Sequence, residues 1–135
     1  MTLVDSNVIL DVWSADPEWA EWSTAAIESA AARGPLVVNP VIIAEIATRF
    51  GTERDLWRAV AEAGFRRAPL PVAAAWSANR AFGKYRERGG ARLTPLADFF
   101  IGAHALVEDW SLLTRDPVGY RTYFPGVKLI APKGR

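Results

Sequence analysis

Four carboxylates in this chain are placed to act together: Asp5, Glu45, Asp98 and Asp116. They are scattered over the whole sequence, yet each stands where a strand is expected to end or a helix to begin. In a parallel α/β sheet such ends meet on one rim, and ligands bind in the crevice outside it. Acids gathered there repel one another and resist ionisation unless a cation neutralises them. An all-oxygen donor set of this kind suits a hard divalent ion, Mg²⁺ or Mn²⁺. Metal-assisted chemistry is the expectation.

The elements that must position these acids are readable from punctuation and apolar runs. Thr2–Val4 is a short strand that stops at a turn, Asp5-Ser6-Asn7. Pro17 opens a helix to about Arg33, which Gly34-Pro35 ends. Leu36–Val38 is a β-branched strand, and Asn39-Pro40 starts a helix over about 40–50. Glu53–Ala63 is helical up to Gly64, Phe65–Ala68 is a weaker strand, and a long helix runs from Pro71 to about Arg88. Gly89-Gly90 ends that helix. Pro95 leads into a helix to about Asp109, Ser111–Thr114 is a strand, and Val127–Ile130 is the last. Short apolar strands alternating with helices predict parallel pairing and a sheet covered on both faces.

Bulk properties narrow the class. At 135 residues the chain is expected to be one domain over 1–131, with a frayed tail at 132–135. The absence of cysteine excludes disulfides and thiolate-held zinc or iron–sulfur sites. No apolar run approaches a membrane span, and the first residues lack a secretory pattern, so a cytoplasmic protein with no membrane partner is expected. Sixteen basic against fifteen acidic residues give a net charge of +1, so a nucleic-acid partner has to be argued from where charges lie.

Asp5 follows the first strand and Asp116 closely follows the strand 111–114. If those strands are neighbours at a switch in sheet order, both carboxylates border one crevice. Glu45 lies one turn after Val41 and Ile42, beside an apolar stripe, where it has no capping role. Asp98 sits in the first turn of its helix, where the dipole favours negative charge. On a helical wheel Phe99, Ala103, Leu106 and Trp110 form the core face, and Asp98 shares a stripe with Gly102 and Ala105. Small residues beside a carboxylate leave room for another element or a ligand. Three of the acids also have a plain reading: Asp5 as an N-cap, Asp98 as an N-terminal charge, Asp116 as a turn residue before Pro117. Asp16 before Pro17 reads as an N-cap, and Asp11 as an outer acid or a merely exposed one. His104 pairs with Glu108 on the polar face and is read as exposed.

As a set these residues resemble the PIN-domain nucleases. The segments carrying the likeness are Leu-Val-Asp5-Ser-Asn-Val-Ile-Leu, Ala-Glu45-Ile, Pro-Leu-Ala-Asp98-Phe-Phe-Ile-Gly-Ala-His-Ala and Leu-Leu-Thr-Arg-Asp116. The tail Tyr-Arg-Thr-Tyr-Phe-Pro-Gly-Val-Lys-Leu-Ile resembles the end of VapC-type toxins of bacterial toxin–antitoxin pairs. The resemblance implies a five-stranded parallel sheet and a metal-dependent endoribonuclease. It also implies a homodimer and a VapB-type antitoxin that blocks the site. It carries over Asp5, Glu45, Asp98 and Asp116 as the acidic quartet and Ser6 as the hydroxyl that follows the first aspartate. Thr114 matches the hydroxyl before the last motif, with no role set. Where many relatives have an acid or amide two residues past the last aspartate, this chain has Val118, which puts a second metal in doubt.

The reaction expected is hydrolysis of RNA phosphodiesters, with Asp5, Asp98 and Asp116 holding Mg²⁺ or Mn²⁺. Glu45 is expected to orient water or hold a second ion, and Ser6 to fix Asp5 or the phosphate. Arg115 is expected to touch a phosphate near the ion. Arg80, Lys84 and Arg88 recur along one helix face opposite Ala78, Phe82 and Tyr85, with Arg86 and Arg92 nearby and Trp76 at its edge. That face is either a phosphate-tracking stripe with a stacking platform or an ordinary solvated surface. Trp19 and Trp22 are read as packing residues. Two rivals remain open. One is a metal-dependent phosphatase on small esters, against which Asp5-Ser6-Asn7 lacks the second acid of an Asp-x-Asp loop. The other is a non-catalytic PIN-like RNA-binding module.

Overall fold

A computed structural model describes residues 1–90 and 96–134. Five strands, β1 (Thr2–Val4), β2 (Leu36–Val38), β3 (Phe65–Arg67), β4 (Ser111–Leu113) and β5 (Leu129–Ile130), form one sheet in the order β3-β2-β1-β4-β5. Every pairing is parallel. The expected architecture is therefore observed, a single α/β domain with helices on both faces. The order turns back at β1, which pairs with β2 on one side and β4 on the other. A switch point at β1/β4 is where a crevice opens at the strands' carboxyl ends.

The sheet is short but dry. Leu3, Val4, Val37, Val38, Leu112 and Leu113 are all within 1% of complete burial, as continuous apolar runs of a doubly covered sheet should be. Each contributes about 1.5–3 kcal/mol through the apolar surface it removes from water.

The described residues form seven α-helices: α1 (Ser6–Trp13), α2 (Ala20–Arg33), α3 (Pro40–Ile46), α4 (Glu53–Glu62), α5 (Ala73–Glu87), α6 (Leu96–Glu108) and α7 (Val118–Tyr123). Two of these correct the sequence reading. Asp5-Ser6-Asn7 is no turn: β1 passes straight into α1, with Asp5 extended (φ −64°, ψ 146°) as its N-cap residue. The six-residue α7 follows Pro117 and escaped notice because Gly119 and its shortness hide any period.

Boundaries moved elsewhere by a few residues. Residues 17–19 form a turn before α2, in which Asp16 Oδ1 accepts from the backbone N–H of Glu18 (2.9 Å) and Trp19 (2.8 Å). Asn39 caps α3, its side chain accepting from Ile42 N at 2.9 Å, and the helix tightens into a 3₁₀ turn at Ala47–Arg49. Thr52 caps α4 through Asp55 N at 3.2 Å. Pro95 and Arg92 lie outside the described residues. In the tail, Pro132 is buried while Lys133 and Gly134 are exposed.

Helix α6 departs most from its wheel. Phe99 and Ala103 are buried as expected, but Leu106 is 41% exposed and every residue from Ile101 to Ala105 is buried. The middle of α6 is enclosed all round, chiefly by α5, with α3 and β4 against it. His104 is therefore buried, at 1% exposure, and the surface reading is wrong. Its Nδ1 meets Asn39 Nδ2 at 3.0 Å and its ring packs on Trp110. Because Asn39 Oδ1 is already bonded to α3, Asn39 must donate to His104 through its amide nitrogen. His104 Nδ1 then accepts, which fixes a neutral ring, and burial lowers its pKa against a weaker upward pull from Glu108.

Candidate active site

Register places the first two site residues. Val4 stands opposite Leu113 in the β1/β4 ladder, so the residues just past each strand, Asp5 and Thr114, emerge side by side. Asp5 N donates to Leu113 O at 2.9 Å, which carries the ladder one step further. Thr114 Oγ1 donates to Asp5 Oδ2 at 2.9 Å, and the Tyr120 hydroxyl from α7 donates to the same oxygen at 3.0 Å. Asn7 Nδ2 approaches it more loosely, at 3.5 Å. All three donors converge on Oδ2. Asp5 Oδ1 has none of them, yet no buried side-chain oxygen of the described residues lacks a partner. Oδ1 therefore keeps access to solvent: one carboxylate oxygen is locked and the other is offered outward.

Asp5 occupies the N-cap position of α1 but makes no side-chain cap bond. Its plain reading as a cap fails. It is 4% exposed, and its pKa rises from 3.8 to about 7. Burial is the main cause and the Asp98 charge the next; Thr114 and Tyr120 pull the other way, and Glu45 adds a smaller push upward. Asp98 rises to about 6 through loss of water, then through Glu45 and Asp116, with Tyr120 opposing. Asp98 remains exposed on the rim, so solvent screens it and its shift is the softer of the two. The quartet is thus one electrostatic unit.

The other members are tethered separately. Ser6 Oγ donates to Glu45 Oε1 at 3.0 Å, so Ser6 secures Glu45 and not Asp5, as the sequence had allowed. Asn7 Nδ2 also reaches Thr114 Oγ1 and Asp116 Oδ2, each at 3.4 Å, and bridges β4's exit to α1. Thr114 Oγ1 accepts from Asp116 N at 3.1 Å. Arg115 Nε binds Asp11 Oδ2 at 2.7 Å, and its Nη1 reaches Asp116 Oδ2 at 3.3 Å. Asp11 is not exposed: at 3% exposure it also accepts from Ser23 Oγ at 2.9 Å, which leaves the reading of an outer acid behind Arg115. It anchors Arg115, whose guanidinium lies 5.6 Å from the Trp19 ring centroid. Arg115 thus reaches the rim already paired with two acids.

Sequence reasoning missed Tyr120 and Asn7. Tyr120 is 4% exposed, and burial beside Asp5 and Asp98 raises its pKa well above the usual value, so it stays a proton donor. Its only sequence signal was a phenol four residues past an acid. Gly102 shows what the small-residue stripe does. A Cβ there would stand 2.5 Å from the Phe124 ring, so the stripe admits another element.

Among the described residues, no three acidic or histidine side chains stand as a group that could grip an ion in their present orientations. The donor chemistry nevertheless fits a hard cation: oxygen ligands only, one fixed carboxylate with its other oxygen free of those donors, and two acids whose pKa values burial and then neighbouring charge raise. Asp98 is exposed, and the 56% exposed Asp116 side chain is held by Arg115 at 3.3 Å and by Asn7 at 3.4 Å.

Beside Asp98 and Asp116 lies a mostly apolar cleft of about 380 Å³, walled by Tyr85, Phe99, Tyr123 and Phe124. Arg80 and Lys84 of α5 and Arg88, its C-cap, are exposed, as expected for their face. Arg80 lies over the 67% exposed Trp76 at 4.3 Å, and Arg88 lies 5.5 Å from the Tyr123 centroid. Trp22 packs against the core, edge-on to Trp19. Among the described residues, no helix is long and apolar enough to cross a membrane.

Comparison with known proteins gives one family and a set of folds. The PIN domain family matches residues 2–125. No curated protein matches the sequence. A chain of VapBC2 from Rickettsia felis, solved with a promoter DNA fragment, superposes with a TM-score of 0.72 at 12% identity, over 96% of this chain and 97% of that one. FitAcB from Neisseria gonorrhoeae gives 0.71 at 19% identity, over 100% of both. VapBC-1 from nontypeable Haemophilus influenzae gives 0.71 at 16%, over 96% of both. At these identities the likeness shows the fold.

Proposed function

The chain belongs to the PIN domain family, and on that premise we propose that it is a metal-dependent endoribonuclease, the toxin of a VapBC-type toxin–antitoxin pair. The observation that carries the activity is the buried Asp5 carboxyl, its pKa raised, beside Asp98 at the β1/β4 switch. Acids made this reluctant to ionise gain most when a divalent cation takes the place of their protons.

Asp5, Asp98 and Asp116 would hold Mg²⁺ or Mn²⁺. When bound, such an ion polarises the scissile phosphate and makes its own water more acidic. The chain's residues do the rest. Thr114 and Tyr120 hold Asp5 by Oδ2, which leaves Oδ1 for the ion. Ser6 holds Glu45, which can accept a proton from an attacking water and orient it. Arg115, anchored on Asp11, keeps Asp116 in place and presents a partly exposed guanidinium to a neighbouring phosphate. Arg80, Lys84 and Arg88 would track the strand further out.

The structural likeness to chains of VapBC and FitAcB complexes supports a VapB-type antitoxin as partner. Action in the cytoplasm as a homodimer belongs to the same reading. The deciding experiment is cleavage of a structured RNA by the purified chain. Mg²⁺ or Mn²⁺ should support it, EDTA should stop it and excess Mn²⁺ should restore it. Cleavage that survives chelation overturns this function.

A further inference from the structure

Arg115 is gripped unequally by two acids. Asn7 and Asp11 stand one turn apart on the same face of α1. Asn7 Oδ1 accepts from the backbone N–H of Arg115 at 3.4 Å, and Asp11 Oδ2 accepts from its Nε at 2.7 Å. That face therefore fixes where the guanidinium lies. Ser23 of α2 donates to the same Asp11 oxygen at 2.9 Å, and the Trp19 ring flanks the guanidinium, its centroid 5.6 Å away. The second acid is held differently. Nη1 meets Asp116 Oδ2 at 3.3 Å, where the Asp116 side chain is 56% exposed against 4% for Asp11.

Depth decides which contact yields. Separating a buried pair leaves an unpaired charge out of water, whereas an exposed pair is worth little and is easily exchanged. Arg115 thus stays with Asp11, and Asp116 is the partner it can release. Asp116 is also one of the acids assigned to the ion, and among the described residues no three acidic or histidine side chains yet stand together to grip one. In this state the guanidinium supplies Asp116 with the positive charge that an ion would otherwise bring.

We propose that Arg115 is an exchangeable counter-cation: it holds Asp116 until a divalent ion takes that carboxylate, and its freed Nη1 then takes a phosphate of the RNA. This role rests on the ribonuclease reading above and adds an order to it, ion before phosphate. It also ties the two ligands together, since each must then tighten the binding of the other. A fixed phosphate contact would show no such dependence on the ion.

Calorimetry with Mn²⁺ alone tests the first half. Arg115→Gln should bind Mn²⁺ more tightly, but removing any nearby positive charge would do that. Arg115→Lys decides, because its ammonium keeps the charge, pairs with the buried Asp11 and has no second arm for Asp116. It should bind Mn²⁺ roughly three-fold more tightly than the wild type, the scale of an exposed ion pair. Affinity equal to the wild type, or weaker, in the Lys variant overturns the proposal. RNA binding tests the second half, in a Glu45→Gln background that keeps the three aspartates and the oxygen on which Ser6 rests but lacks the base. Adding Arg115→Gln there should cost little RNA affinity in EDTA and roughly ten-fold with Mn²⁺ present, the scale of a hydrogen bond to a charged group. Equal losses in both conditions make Arg115 a permanent phosphate contact, and no loss in either makes it structural; both outcomes overturn the exchange. Should Arg115→Gln fail to melt cooperatively, Asp11→Asn combined with it removes the buried charge left unpaired and takes its place. If both halves hold but the wild-type chain with Mn²⁺ never cleaves RNA, the exchange stands and the nuclease reading fails.

Discussion

Replacing Asp5 by asparagine should stabilise the protein at neutral pH, and the gain should vanish in acid. The folded chain raises the Asp5 pKa from 3.8 to about 7, so the folded state keeps a proton that the unfolded state has released. Stability is then full below about pH 4 and falls as pH rises towards about 7, because deprotonation costs more in the fold than out of it. A gap of about three pH units at about 1.4 kcal/mol each sets an upper bound of about 4 kcal/mol. That figure already includes the donors on Oδ2, but a buried amide also costs something, so about 2 kcal/mol at pH 8 is expected. For a chain of this size that is a rise of roughly 6–10 °C in melting temperature. At about pH 4 the neutral acid and the amide should melt together. The assay is thermal melting in EDTA across that range. Mn²⁺ at about 100-fold over its dissociation constant should stabilise the wild type by roughly 2.7 kcal/mol at pH 8 and leave the variant nearly unmoved. If Asp5→Asn instead melts lower at every pH, or the gap fails to close in acid, the charge penalty at Asp5 is not real and the metal site loses its physical basis.

Two other perturbations test the parts around it. Tyr120→Phe keeps the ring and removes one of the two close donors on Asp5 Oδ2. It should weaken Mn²⁺ binding by calorimetry roughly ten-fold, the scale of an outer partner of a metal ligand, and unchanged affinity would show that Thr114 alone holds Asp5. Alanine at Arg80, Lys84 and Arg88 together should reduce the salt slope of RNA binding by up to about three phosphates' worth, since each neutralised phosphate contributes about 0.7 on a single strand. An unchanged slope would return that helix face to ordinary solvated surface.

The parts of this site that the sequence revealed are those set by strand ends. Asp5, Thr114 and Asp116 follow compact apolar runs, and parallel pairing at β1/β4 then brings them to one rim with no further information. Asp98 and Glu45 were found through their places on helices. What stayed hidden depends on contacts between residues more than a hundred positions apart. Tyr120 on Asp5 and Asn7 on Asp116 are of this kind, and neither has a local period to announce it. His104 failed for a different reason. A wheel allows one inside and one outside, but α6 is covered on several sides, so its polar face meets Asn39 instead of water. For Asp11 the exposed alternative fails for a related reason: reading Asp5-Ser6-Asn7 as a turn hides the start of α1, and with it the helix's inward face.

The arrangement at Asp5 is hard to explain by stability. A carboxylate one residue before a helix could accept the N-terminal N–H groups, a bond typically worth about 1 kcal/mol, and Asp5 makes no such bond. It is turned instead into a buried spot beside Asp98, where its charge is penalised, and hydroxyls from β4's exit and from α7 are spent on one of its oxygens. Fixing Oδ2 while leaving Oδ1 open contributes nothing to the fold that a buried asparagine would not contribute better. It does leave one oxygen of a fixed carboxylate for a ligand, beside the charges of Asp98 and Glu45. A destabilising group held in a fixed orientation by neutral donors is therefore better explained by what binds to it than by what surrounds it.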